Sequence, residues 1–199
     1  RVAKMNMIIH DDGHTNVIGF DALEDVGKMT EKNRGFEKNH FDVIVTNPPF
    51  GANVKRSEHP YLEKFVLGQN GKKTRDNQKT EILFIERCID FLKPSTSQMA
   101  IVLPDGILSN STLQYVRDFL MERAQILAVI SLPQFTFTHF GAGVKSSLVF
   151  VRKKGEKEKL GRYKIFMAIA EHIGYDATGK KDAKSDLNEI YEEYKKFKK

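Results

Sequence analysis

Four consecutive residues, Asn47-Pro48-Pro49-Phe50, hold the most specific chemistry in the sequence. They follow directly on FDVIVT (residues 41–46), an apolar, β-branched run of the kind found in strands buried on both faces. Two prolines in a row offer no N–H and have fixed φ, so the segment presents hydrogen-bond acceptors only. The Asn47 side-chain oxygen and the Pro48 carbonyl can point the same way. That pair suits an exocyclic –NH2 group, which brings two donors. Accepting both hydrogens keeps the nitrogen lone pair out of ring conjugation and aims it at an electrophile. Phe50 can stack on the ring that carries the amine. No general base is required, because the proton can leave after the nitrogen has become cationic. The bland alternative is a rigid turn that only stops a strand. A match to Asn/Asp/Ser-Pro-Pro-aromatic arises by chance in about 1% of chains this long.

The flanking pattern supplies elements to position this turn. Val2, Met5 and Ile8/Ile9 recur at helical spacing, with Arg1 to His10 reading as helix until Asp11-Asp12-Gly13 ends it. Residues 16–20 form a short strand candidate. A polar stretch, 51–79, follows the tetrapeptide; a segment this long without periodicity is functional or disordered. Thr80 is the expected cap of a helix over 81–93, striped by Ile82, Ile85, Cys88/Ile89 and Leu92. Cys88 on that stripe is most simply a small core residue. A buried strand over 98–103 ends at Pro104-Asp105-Gly106, a turn rather than a site. A helix over 112–123 shows Leu113, Val116 and Leu120 on one face, and apolar strands follow over 126–132 and 146–151. Residues 165–170 are a short apolar run. Ser185 is the expected cap of a last helix bearing Leu187, Ile190/Tyr191, Tyr194 and Phe197.

Strands alternating with helices predict an α/β fold with a mostly parallel sheet. The pair 126–132 and 146–151 has no helix between, which predicts an antiparallel last strand. Sites in such sheets lie beyond the carboxyl ends of the strands, where Asn47, Pro104 and Pro133 fall.

Composition bounds the rest. The 199 residues, 40% hydrophobic and 29% charged, suit one globular domain. No apolar run nears the roughly 18 residues of a spanning helix, which argues against a membrane protein. The lone Cys88 excludes a disulfide framework and a multi-thiolate metal site, and no metal site is expected. With no signal peptide visible, these features predict a cytoplasmic protein. Lys and Arg number 32 against 26 acids, a net charge of +6 that favours a polyanionic partner such as nucleic acid. Residues 53–80 hold seven basic side chains against three acids, and 151–164 hold seven against two. The first of these stretches adjoins Asn47 and could contact phosphates, or be a solvated loop.

The tetrapeptide and its context resemble the S-adenosylmethionine-dependent amino-methyltransferases. The closer likeness is to the modification subunit of prokaryotic type I restriction-modification systems, a DNA adenine-N6 methyltransferase. Besides FDVIVTNPPFG (41–51), the matching pieces are MNMIIH (5–10), IGFDALED (18–25), AIVLPDGIL (100–108), ISLPQFTFTHFGAGVKSSLVFVRKK (130–154) and EHIGYDATGK (171–180), in the family's order. The resemblance implies a Rossmann-like methyltransferase fold. It implies that Asn47, Pro48 and Phe50 hold the amine of a flipped adenine, with Pro49 fixing their geometry. Asp21 would accept a hydrogen bond from the cofactor's adenine amine, with the Ala22 N–H and Asn47 also facing the cofactor. Phe140, with Phe137 second, would stack on the flipped base. Read alone, Asp21 could equally be a surface turn acid and the two phenylalanines core residues. Implied partners are double-stranded DNA and the specificity and restriction subunits of the same system.

The family's glycine-rich cofactor loop has no counterpart. Gly141-Ala142-Gly143 is the sole G-x-G, and it precedes a strand rather than a helix. The resemblance thus implies a partial catalytic domain over 1–170, with N-terminal strands missing before Arg1, and a C-terminal extension with a helix over 171–199. Two other readings stay open. One is an RNA or protein amide N-methyltransferase, which uses similar tetrapeptides. The other is a catalytically inert nucleic-acid-binding or assembly module. As a partial domain, the isolated 199-residue chain should bind S-adenosylmethionine poorly and transfer no methyl group. Calorimetry showing micromolar binding by this chain alone would contradict that expectation.

Overall fold

The computed structural model describes residues 2–13 and 15–198; Arg1, the first residue of the expected opening helix, lies outside them. The chain opens with α1 (Val2–Ile9) and α2 (Val26–Lys32), the latter capped by Asp25, whose carboxylate accepts from the Gly27 N–H at 2.9 Å. Strand β1 (Val43–Thr46) leads into the Asn47 turn. An excursion of two small hairpins follows: β2 (Asn53–Lys55) with β5 (Asn77–Lys79), enclosing β3 (Gln69–Asn70) with β4 (Lys73–Thr74) and a 3-10 turn over Pro60–Lys64. Then come α3 (Thr80–Phe91), β6 (Gln98–Pro104), α4 (Asp105–Ser109), α5 (Gln114–Arg123), β7 (Ala124–Ser131) and β8 (Ser146–Lys153). The chain closes with β9 (Phe166–Ile169), the hairpin β10 (Ile173–Tyr175)–β11 (Lys181–Ser185), and α6 (Leu187–Phe197).

The main sheet has the order β1-β6-β8-β7-β9. Four strands run one way and β8 runs against them, pairing antiparallel with both β6 and β7. This is the expected α/β fold, with the 146–151 run antiparallel. The apolar run over 165–170 adds β9 as a further parallel strand at the edge of the sheet. One face packs on α3 and α5, burying Ile82, Ile85, Ile89, Met99, Ile101, Leu103, Val116, Leu120, Val149 and Val151 in one core. On the other face a row runs through Phe150, Ala128 and Phe166, and Ile130, Phe150 and Phe166 pack with Ile190 of α6. Phe166 meets Tyr194 and Phe197 at ring separations of 5.4 and 5.5 Å. The last helix therefore completes the core on this side.

Several local expectations give way to tertiary structure. Residues 16–20 form no strand, since no strand of the described chain lies beside them to pair with. Strand β1 is not buried on both faces: it sits at the sheet edge, and Val43 and Val45 are 66% and 79% exposed. The apolar stripe of α1 is exposed as well. Thr80 does not cap α3; it is the first helical residue, and its hydroxyl donates to the Ala52 carbonyl at 3.0 Å. Ser185 ends β11 while Asp186 occupies the cap of α6, its carboxylate accepting from the Glu171 and His172 N–H groups at 2.7 and 2.8 Å. The 104–106 turn continues into α4. The polar stretch is a folded excursion, because Val54, Tyr61, Leu62 and Phe65 bury themselves with Leu23 against Leu83 of α3.

Cys88 is buried and its thiol pKa is pushed up to about 12 by desolvation, as suits a core residue. Leu62 is fully buried at the centre of the excursion. Leu62→Ala should cost about 2–5 kcal/mol by transfer and cavity terms. Urea unfolding measures the loss, and amide exchange should quicken first within residues 53–79.

Candidate functional site

The site forms where β1, β6 and β7 end together. Asn47 stands exposed one residue beyond β1, Pro48 is buried, Pro49 is exposed and Phe50 is half-buried. The turn is anchored from behind by the start of α3. Thr80 donates to the Ala52 carbonyl through both its N–H, at 2.9 Å, and its hydroxyl, at 3.0 Å. Glu81, only 2% exposed, accepts from the Gly51 N–H at 3.3 Å. Gly51 has φ +76°, a conformation that glycine adopts without steric cost. The turn is thus held between β1 and the start of α3, while Asn47 is exposed and its side chain has no hydrogen-bond partner among the described residues.

The connection from β7 to β8 forms the opposite wall. It winds through successive turns, Thr136 N–H to Pro133 carbonyl and Thr138 N–H to Phe135 carbonyl, into a 3-10 turn over Thr138–Phe140 that Gly141 ends at φ +85°. Phe137 lies edge-on to Phe50, with centroids 6.0 Å apart and planes at 82°. Phe140 is 75% exposed beside the His139 ring. His139 meets Tyr175 of β10, whose hydroxyl donates to the Thr136 carbonyl at 3.0 Å. The 171–180 stretch therefore props the wall from outside. Gly141-Ala142-Gly143 leads into β8, so it is part of this wall and opens no helix.

Three polar residues to which the sequence assigned no role, Lys145, Asp105 and Ser147, close the base of the wall. Lys145 donates to the Ser131 hydroxyl at 2.9 Å and to the Leu132 carbonyl. Its own carbonyl accepts from the Asp105 N–H at 2.9 Å, and the Asp105 carboxylate accepts from Ser147 at 2.7 Å. Asp105 is more than the turn residue expected of Pro104-Asp105-Gly106, and its place at the carboxyl end of a strand is the signal for it. Lys145 and Ser147 fall inside the 130–154 piece, which marks their stretch but not the hydrogen bonds they make.

Asp21 and Ala22 form a separate exposed turn. The Asp21 carboxylate accepts from the Leu23 N–H at 2.9 Å and from the Tyr61 hydroxyl at 2.8 Å. The Ala22 N–H makes no hydrogen bond among the described residues. The Asp21 turn and the Asn47 turn are both fastened to α3, since Arg87 donates to the Leu23 and Glu24 carbonyls at 2.8 and 2.7 Å. Of the basic side chains in the excursion, Lys55, Arg56 and Lys64 pair with Glu58, Glu63 and Asp25, and Arg75 lies over the Tyr115 ring at 4.4 Å. Lys72, in the hairpin turn with Gly71, and Lys73, the first residue of β4, have no ion pair among the described residues.

Comparison with known proteins gives consistent likenesses. The model of a family described as N-6 DNA Methylase matches residues 1–199. The type I restriction enzyme MpnII methylase subunit of Mycoplasma pneumoniae is 24% identical over 161 residues, 79% of this chain and 29% of that protein. The EcoEI methylase subunit of Escherichia coli is 31% identical over 113 residues, 56% of this chain and 21% of that protein. The chain thus spans less than a third of the length of these relatives. Among solved structures, a chain of a type I restriction-modification complex superposes with a TM-score of 0.67 at 24% identity, covering 98% of this chain and 35% of that one.

Lys145→Met removes charge-assisted hydrogen bonds worth about 1.5–3 kcal/mol. Amide exchange over residues 133–144 should then accelerate by at least about tenfold, the equivalent of that energy, with β6 unchanged. Unchanged exchange in the loop would show that Lys145 does not hold it.

Proposed function

The chain belongs to the N-6 DNA methylase family, and on that premise we propose that it forms the amine-binding half of a DNA adenine-N6 methyltransferase, the modification subunit of a type I restriction-modification system. The observation that carries the reading is the Asn47–Phe50 turn, whose two prolines offer no N–H, set at the carboxyl end of β1 and faced by Phe137.

An adenine amine is out of reach inside a duplex, so the base must leave the stack. Phe50 receives the ring, and Phe137 sets the angle of Phe50 through their edge-on contact. Phe140 has the exposed face that stacking on an incoming base requires. The Asn47 side-chain oxygen and the Pro48 carbonyl would accept the two amine hydrogens, leaving the nitrogen lone pair free to take a methyl group whose bond to the donor's sulfonium breaks, the electron pair staying on sulfur as a neutral thioether. As positive charge grows on that nitrogen, the same two acceptor dipoles stabilise it, and the proton then leaves to solvent. Because the anchors on α3 fix these acceptors beforehand, no reorganisation is required at the moment of reaction.

The residues present fit an adenine-bearing cofactor. The Asp21 carboxylate retains lone pairs beyond the two hydrogen bonds it accepts, and the Ala22 N–H beside it is unengaged. An acceptor next to a donor complements the amine and ring nitrogen on one edge of adenine. S-adenosylmethionine, when bound, supplies an electrophilic methyl group on sulfur; Asp21 and Ala22 would hold its base, with Asn47 at the reacting end.

Lys72 and Lys73 suit phosphate contacts with double-stranded DNA, while specificity and restriction subunits would complete the assembly. Among the described residues no helix is long and apolar enough to cross a membrane, and the reading implies work in a prokaryotic cytoplasm. The 1–170 catalytic part and 171–199 extension serve one site in this reading, since Tyr175 supports the Phe137 wall.

The test is transfer of a radiolabelled methyl group to plasmid DNA by the full-length protein. Asn47→Ala should lower transfer by at least about a hundredfold, the scale for losing one preorganised transition-state contact. Equal labelling by wild type and variant would end the catalytic assignment. Label on RNA or on a protein amide instead of DNA would shift the substrate to those classes.

A further inference from the structure

We propose that Tyr61 and Arg87 are positioning residues that hold the Asp21–Ala22 turn in the geometry that reads the cofactor's adenine. The inference rests on the proposed role of Asp21. Sheet pairing does not hold this turn, because the segment before it forms no strand among the described residues. Its fixation must come from elsewhere, and the long-range contacts supply it.

Arg87 is 7% exposed and spends one nitrogen, Nη2, on two carbonyls, Leu23 at 2.8 Å and Glu24 at 2.7 Å. Its guanidinium lies over the Phe65 ring at 4.9 Å and the Phe91 ring at 5.6 Å, which limits its freedom to swing away. Leu23 is itself buried in the excursion core. The backbone on the C-terminal side of Ala22 is therefore clamped. Tyr61, from the excursion, acts on the side chain: its hydroxyl donates to Asp21 Oδ2 at 2.8 Å while the Leu23 N–H donates to Oδ1. The carboxylate is thereby fixed in rotation by a donor on each oxygen, with lone pairs left for a ligand. Burial and the neighbouring Asp21 carboxylate push the Tyr61 pKa up, so the hydroxyl remains a donor across the neutral range.

The placement of Arg87 adds a ruler. Glu81 and Thr80 anchor the Asn47 turn, and Arg87 anchors the Asp21 turn, all on α3. Six to seven residues of helix separate the two anchor points by about 10 Å. A rigid buried helix thus sets the distance between the residues that bind the amine and those that bind the cofactor's base.

The test is calorimetric binding by the full-length protein of S-adenosylhomocysteine and of its inosine counterpart, which carries a carbonyl in place of the adenine amine. Tyr61→Phe should weaken S-adenosylhomocysteine by about 3–10-fold, the range for one hydrogen bond, and leave the inosine ligand within about twofold. Equal weakening of both ligands would assign Tyr61 a merely structural role and overturn the proposal. If Asp21→Ala weakens S-adenosylhomocysteine and Tyr61→Phe does not, the positioning role fails while the Asp21 site stands. If Asp21→Ala has no effect, the site beneath the proposal fails, and the proposal with it. Arg87→Lys should quicken amide exchange at residues 21–25 and weaken S-adenosylhomocysteine together; quicker exchange with unchanged affinity would remove Arg87 from the role.

Discussion

Burial of charge on α3 is the constraint from which the rest of the arrangement follows. The helix is sandwiched, with Ile82, Ile85 and Ile89 against the sheet and Leu83 against the excursion. Glu81, Glu86 and Arg87 are caught between, at 2%, 5% and 7% exposure. A buried charge without a partner costs several kcal/mol, so each of these side chains must be satisfied where it stands. Each reaches loop backbone, although the Arg87 Nε keeps no hydrogen-bond partner among the described residues. Glu81 accepts from Gly51, Glu86 from the Val66 and Leu67 N–H groups at 2.7 and 2.8 Å, and Arg87 donates to Leu23 and Glu24. Desolvation raises the Glu86 pKa even against those two donors, a measure of how dry its surroundings are. Three loops that would otherwise drift are pinned to one helix, and two of them carry the residues that face solvent at the proposed site.

This division explains what could be read from the sequence. The Asn47-Pro48-Pro49-Phe50 turn was legible because its chemistry is local: prolines remove donors and fix φ wherever they occur. The stripe Ile82, Ile85, Ile89 was legible because helical periodicity is local too. The excursion was not, because Tyr61, Leu62 and Phe65 lie in a polar stretch with no period and gain their burial only against Leu83 and Leu23. Residues 16–20 looked like a strand on composition, yet a strand needs a neighbour to bond. Residues 165–170 looked like an undecided apolar run, and a neighbour, β7, makes them β9. Thr80 and Ser185 illustrate the same competition at single residues. Each has the side chain of a helix cap, but the Ala52 carbonyl claims Thr80, while Asp186 takes the position expected for Ser185. The long-range polar pairs, Tyr61 with Asp21 and Lys145 with Ser131, leave no trace in spacing at all.

The polar clasp at Lys145 and the clamp at Arg87 each hold one of the loops that carry site residues. Lys145 and Asp105 tie the ends of β6, β7 and β8, fixing the wall that bears Phe137. Thr80 and Glu81 tie the Asn47 turn, and Arg87 ties the Asp21 turn. Asn47, Pro48, Pro49 and Phe50 contain no titratable group, so their chemistry depends wholly on where acceptors and rings are held. A proton-transferring site tolerates small misplacement by adjusting a hydrogen bond, whereas an amine presented by two fixed acceptors loses its aim when either moves. That dependence on position gives a physical reason for the buried ionic groups on α3. An apolar helix could pack the core as well or better, but only directional, charge-assisted hydrogen bonds can hold a carbonyl or an N–H of a neighbouring loop at a fixed place and angle.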